Sequence, residues 1–160
     1  LRRALRKALT QLVAMRKREG AALQKDIEQR LTRLRAHVAG IRRRAPSIAG
    51  RYRATLRKRL RQAGFELENG DERLLKEIAI FADRCDVAEE LTRLESHFDQ
   101  AARLIASTEA TGRSLDFLAQ EMFREINTIG SKANDTGVIR QVISFKAELE
   151  RVREQVQNVE

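Results

Sequence analysis

The chain has 160 residues, 42% of them apolar and 34% charged, with one Pro, eight Gly, no Trp, one Tyr and six Phe. A core is affordable, but it must be built from Leu, Ile, Val and Ala, and the composition suits long helices rather than sheets. The net charge of +9 is segregated: residues 1–64 hold 20 Lys/Arg against 3 Asp/Glu, whereas 65–160 hold 12 against 20, as in a basic arm that meets a polyanion beside a more acidic body. The single cysteine, Cys85, has no disulfide partner, and runs such as "IAIFA" at 78–82 are too short to span a bilayer, so the expectation is a soluble, cytoplasmic protein.

The chain begins within a helical pattern. Leu1 has no preceding cap, and the start reads as that of a piece lacking an N-terminal part. A first helix is expected over about 1–44, with Leu5, Leu9, Leu12, Leu23, Ile27, Leu31, Leu34, Val38 and Ile41 on one face. The stripe lapses at "MRKREG", where Arg16, Glu19 and Gly20 fall in phase. That lapse is a helix end, a kink or Arg16 reaching solvent; alternatively it is a polar inner site approached closely by a backbone or a ligand.

Pro46 marks a turn. A second helix over 46–63 carries Ile48, Tyr52, Leu56 and Leu60, each four apart. The two helices are expected to form a long antiparallel, coiled-coil-like hairpin, a basic arm spanning 1–64. Arg42, Arg43 and Arg44 would sit near its tip. Cations of one sign without counter-charges fit a phosphate backbone, and a solvated coiled-coil spacer is the competing reading. Tyr52 alone does not make a base-stacking platform.

A helical domain is expected over 71–160. Asp71 caps a helix over 72–84. Asp86 and Glu89 suggest a capping box for a helix over 86–107, with Val87, Leu91, Leu94, Phe98 and Ile105 on its buried face. Beside that face runs a polar line of Asp83, Asp86, Glu90, Arg93 and His97, from which Asp83 drops out if a new helix starts at Asp86. Further helices are expected over 114–129 and 136–157, the latter with Val138, Val142, Phe145, Leu149, Val152 and Val156 on its seam. The fold class is all-α, a helical hairpin plus a helical bundle.

"QEMFREINTIGSKANDTG" (120–137) departs from this pattern. Glu121, Glu125, Thr128 and Lys132 share one helical line; Gln120, Arg124, Asn127 and Ser131 share the next. Two carboxylates one turn apart can hold a hard cation, Mg²⁺ or Mn²⁺ rather than Zn²⁺, and a carboxylate beside a cationic side chain can position a phosphate and a water. Glu121, Glu125 and Glu90 are therefore candidate metal ligands. Glu121, Glu125 and His97 are candidate catalytic groups, His97 as acid or base. Arg16, Arg42, Arg43, Arg44, Arg93, Arg124 and Lys132 are candidate contacts to a nucleic-acid backbone. The plainer reading has surface ion pairs, a hydrogen-bonded His97, and a helix C-cap followed by an Asp135 N-cap. No phosphate loop, nucleophile elbow or HExxH is present.

"ADRCDVAEELTRLESHF" (82–98), "GRSLDFLAQEMFREINTIGSKAND" (112–135), the terminal "REQVQNVE" (153–160) and "AMRKREG" (14–20) resemble the YicC/YloC family of bacterial proteins. The resemblance implies a divalent-metal-dependent endoribonuclease that assembles as a hexamer around RNA, with an additional N-terminal domain. It implies motif positions at Arg16, Glu19, Gly20, Asp83, Asp86, Glu89, Glu90, Arg93, His97, Asp116, Gln120, Glu121, Arg124, Glu125, Asn127, Gly130, Ser131 and Lys132. It does not say which of these bind metal.

Overall fold

The computed structural model describes residues 2–65, 71–107 and 111–157. Among these residues are six α-helices, α1 (Arg2–Arg44), α2 (Ile48–Gln62), α3 (Glu72–Arg84), α4 (Ala88–Ile105), α5 (Gly112–Lys132) and α6 (Thr136–Val156), with a 3₁₀ turn at Ala45–Ser47. There is no strand among the described residues, and the all-α class holds.

The pairing of the helices differs from a hairpin. Arg44, Ser47 and Ile48 all keep right-handed helical angles, so the chain does not reverse at Pro46. The second half of α1 packs on α6 and α4, whereas α2 packs on α3. The reason lies in the apolar faces. Ile27, Leu31, Leu34, Val38 and Ile41 of α1 join Phe98, Met122, Ile126, Phe145 and Leu149 in one core, each such side chain contributing roughly 1.5–3 kcal/mol on burial. The core therefore runs across the expected division between 1–64 and 71–160. Close approach of α1 and α6 is permitted at Gly40, where a Cβ would lie 3.2 Å from the Gln141 side chain. His37 Nδ1 is 2.7 Å from Gln141 Oε1 beside it. The narrower face of α2 finds its partner in α3, where Tyr52 stacks on Phe81 with centroids 3.6 Å apart. Tyr52 is thus spent on packing.

Residues 2–22 are exposed throughout, and Leu5 is 61% exposed. The apolar stripe therefore divides: Ile27–Ile41 is core, while Leu5, Leu9 and Leu12 stay exposed among the described residues. The helix runs unbroken through Gly20, and a Cβ there would meet open space, so neither a helix end nor a close approach occurs at that glycine.

The ends of the helices follow local chemistry. Asp71 accepts from the Arg73 and Leu74 amides, as expected of an N-cap. Gly64, at φ +85°, closes α2 in the left-handed region, with the Phe65 amide donating to the Leu60 carbonyl at 3.1 Å. The segment 66–70 that follows lies outside the described residues. The expected capping box is not formed: α4 starts one residue later, the Asp86 carboxylate accepts from the Ala88 amide at 2.9 Å, and Glu89 turns outward to Arg93.

Asp135 caps α6 by accepting from the Val138 amide at 2.9 Å. That hydrogen bond, with Arg51 and Arg44 nearby, holds its carboxyl below the usual range. A depressed carboxyl stabilises the fold above its unfolded pKa near 4, and the benefit is lost as pH falls through the folded value. Asp135→Ala should cost about 1 kcal/mol at neutral pH and flatten the acid limb of the stability profile, as measured by urea unfolding between pH 7 and pH 2.5. An unchanged acid limb would contradict this role.

Candidate active site

Helix α4 carries Glu90, Arg93 and His97 at spacings of three and four, which places them on one face. The C-terminal half of α5 runs antiparallel against it. Glu90, near the start of α4, meets Lys132, the last residue of α5; Arg93, one turn on, meets Glu125, two turns back. A polar seam results, with the core on one side and solvent on the other.

Glu90 is 5% exposed. Its Oε1 accepts from Lys132 Nζ at 2.6 Å. Its Oε2 is buried and has no partner among the described residues. Burying a charged oxygen without a donor is costly, so this atom is either a strain carried by the fold or an acceptor poised for something that arrives. Lys132 is held as an ammonium: the hydrogen bond to Glu90 raises its pKa, with help from Asp86 and Glu89. Arg93 is fixed between two carboxylates. It pairs with Glu89 one turn earlier and donates to Glu125 Oε1 at 3.3 Å, and these bonds, Glu89 first, raise its pKa. Glu125 is itself buried. Further along α4, His97 Nδ1 is buried without a hydrogen-bond partner among the described residues.

The structure therefore brings together Glu90, Arg93, Glu125 and Lys132, and places His97 on the same face of α4. Other candidates are drawn elsewhere. Glu121 pairs at 2.7 Å with Arg124 on its own helix, Gln120 bonds Asp116 at 2.8 Å, and Asp116 also meets Arg153 at 3.5 Å. Asp83 lies exposed in the last turn of α3, out of line with α4. Asn127 is half-buried, and Ser131 Oγ donates to the Thr128 carbonyl at 2.9 Å. Gly130 is not a helix terminator. It lies within α5, and a Cβ there would stand 3.2 Å from Val142 Cγ1, so it lets α5 and α6 close on each other. Arg16, Glu19 and Gly20 stand on the exposed part of α1, not packed into the seam.

Two observations bear on the candidate metal ligands and the basic run. Among the described residues no three His, Cys, Asp or Glu side chains converge to hold a metal ion. Glu90 and Glu125 face Lys132 and Arg93 across the α4–α5 seam, and Glu121 faces Arg124 on its own helix. The basic run at 42–44 is also partly engaged. Arg42 meets Glu95 at 3.3 Å, and Arg44 and Arg51 meet Asp135 at 4.0 and 2.8 Å, which fastens the 3₁₀ turn to the bundle. Missed by the sequence reading was Glu148, buried in α6 beneath Arg30 at 3.1 Å and Arg33 at 3.2 Å. A glutamate beside Leu149 on an otherwise apolar seam was its only signal.

Residues 41–160 match the model of the family described as endoribonuclease YicC-like, C-terminal. A probable endoribonuclease YicC of Clostridioides difficile is 40% identical over 161 residues, spanning 100% of this chain and 55% of that protein. A second, from Haemophilus influenzae, is 36% identical over 152 residues, spanning 95% of this chain and 52% of that protein. The chain thus spans about half the length of the curated relatives it matches. By the extent of these matches, the chain belongs to the endoribonuclease YicC-like family, whose C-terminal region it carries.

Proposed function

We propose that the chain forms part of an endoribonuclease that cuts RNA phosphodiester bonds in the bacterial cytoplasm, and that the α4–α5 seam is where it cuts. The naming of the relatives supports the reaction class, and the lone Cys85 suits a reducing compartment. The observation that carries the site is the unpartnered, buried Oε2 of Glu90 beside the Lys132 ammonium. An acceptor next to a fixed cation is what removal of a hydroxyl proton near a phosphate requires.

The reaction written on these residues is a transesterification. Glu90 Oε2 takes the proton of the ribose 2′-hydroxyl. The 2′-oxygen attacks phosphorus, the bond from phosphorus to the 5′-oxygen breaks, and the leaving oxygen takes a proton. Lys132 and Arg93 offset the charge that builds on the phosphoryl oxygens. His97 lies two turns from Glu90, about 10 Å along the axis, a span that the two side chains can bridge around one phosphodiester, and it supplies the second proton-transfer group. The Mg²⁺ or Mn²⁺ expected from the sequence does not fit these donors within one chain, and no step is routed through it. The uncovered Leu5, Leu9 and Leu12 support a homo-oligomer in which a second copy covers them.

The test is cleavage of an end-labelled, structured RNA with Mn²⁺ or with EDTA, by this chain and by a protein of the relatives' full length. EDTA-resistant cutting that leaves a 2′,3′-cyclic phosphate supports the side-chain mechanism. Cutting that EDTA abolishes, leaving 5′-phosphate ends, overturns that mechanism in favour of a metal. RNA binding without cutting under any condition leaves a non-catalytic helical RNA-binding protein.

A further inference from the structure

The α2 helix holds Arg51, Arg53, Arg57, Lys58, Arg59 and Arg61 and no acidic residue. One face of it forms an open cleft of about 500 Å³ lined by Gly50, Arg53, Ala54, Arg57, Lys58 and Arg61. Arg53, Arg57 and Arg61 form one row at spacings of four. Gly50, Ala54 and Lys58 form the row beside it. A Cβ on Gly50 would meet nothing within 4 Å, so the small residues give the cleft a low floor between cationic walls. Like charges at this spacing repel along a helix. Where the basic half packs on the bundle, several such charges are offset: Arg30 by Asp26 and Glu148, Arg35 by Asp99, Arg42 by Glu95. Among the described residues, no carboxylate pairs with Arg53, Arg57, Lys58 or Arg61. Arg57 Nε is buried and lacks an acceptor, although a guanidinium donates in a fixed fork.

We propose that this face of α2 seats consecutive phosphates of an RNA backbone, remote in sequence from the seam that cuts it. The proposal rests on the endoribonuclease reading for the identity of its ligand. Geometry favours a repeating anion over a single one. Three guanidiniums about 6 Å apart along the axis cover about 12 Å, more than one phosphate fills. Chemistry favours the backbone over the bases. The cleft has no aromatic lining, so it grips without reading sequence. The "RRR" run at 42–44, two of whose members are paired within the fold, is then a fastening of the bundle rather than the principal grip.

The test is the salt dependence of RNA binding by the full chain. Parent, a variant with Arg53, Arg57, Lys58 and Arg61 all changed to Gln, and a charge-matched control with Arg2, Arg3, Arg6 and Lys7 changed to Gln are compared between 50 and 300 mM salt. The cleft variant should bind about tenfold or more weakly near 150 mM, with the slope of log affinity against log salt reduced by about 2 to 3. The control should keep the parental slope. A variant that leaves Arg57 in place and changes only the other three should still lose about 2 of the slope, which guards against a folding defect at the buried Nε. A parental slope in both cleft variants overturns the proposal while leaving the cleavage reading intact. Equal losses in variant and control show long-range charge rather than a seat, and overturn it too. A shift in sedimentation of the cleft variants, with RNA affinity unchanged, identifies an interface with protein instead. Failure of the parent to bind RNA at all sinks both readings together.

Discussion

Glu90→Gln is expected to lower RNA cleavage by about 100-fold or more under single-turnover conditions, with RNA affinity within about threefold of the parent. The substitution isolates one atom. A glutamine carbonyl oxygen can still accept from Lys132, as Glu90 Oε1 does at 2.6 Å. At the position of Oε2 it presents an N–H, which cannot take a proton. The polar contact to α5 survives while the free acceptor does not. A structural role for Glu90 would move unfolding and binding together with cleavage. A role in proton removal moves the cleavage rate and its pH profile while leaving the denaturation midpoint and affinity largely in place. A single-turnover rate within threefold of the parent would show that Glu90 Oε2 is only a strained atom. Lys132→Met is the complementary probe. It should also reduce cleavage by about 100-fold through loss of the fixed cation, but it leaves both oxygens of a buried carboxylate without a donor, so Lys132→Met should destabilise the fold as well.

What the sequence made legible was mostly local. The caps at Asp71 and Asp135 were readable because a carboxylate accepting from amides two or three residues on needs only its own turn. The polar line on α4 was readable because spacings of three and four fix a face whatever packs on it. Which face meets which was not readable in the same way. The stripe of α1 suited α2 as well as it suited α6, and the choice fell to the deeper core that Ile27–Ile41 makes with Phe98 and Phe145. The hairpin expectation failed there. The same limit governed the site. Glu121 and Glu125 looked like a pair because they are one turn apart, but the register of α5 against α4 turns Glu125 to Arg93 and leaves Glu121 with Arg124. Gly130 read as a terminator because glycine often ends helices; its contact with Val142 belongs to the packing of α5 on α6, which no local pattern encodes. The bare cations of α2 were visible as composition, and only the burial of Tyr52 against α3 showed which side of that helix stays open.

The largest loss of stability is expected for Phe98→Ala, about 3–5 kcal/mol. Phe98 has no exposed surface. Its ring lies 6.3 Å from that of Phe145 at an angle of 55°, within the range where tilted aromatic pairs attract beyond their area. The Arg35 guanidinium sits over its ring, 5.5 Å from the centroid. Truncation removes the ring contact that ties α4 to α6 and opens a void between helices that are each held in place by further neighbours, so collapse onto the gap is restricted. Phe98→Leu keeps most of the volume and should cost distinctly less, in the range of about 1–2 kcal/mol. Urea unfolding followed by far-UV circular dichroism separates the cases, provided the slope of the transition is unchanged. The consequence reaches the seam, because His97 precedes Phe98 on α4 and Glu90 lies two turns before it. If the bundle positions the seam, Phe98→Ala should reduce cleavage even at temperatures where the protein remains folded, whereas Phe98→Leu should largely restore it. A loss below about 1 kcal/mol for Phe98→Ala would mean that α4 is held to the bundle through Leu91 and Leu94 instead, and that the aromatic pair is dispensable.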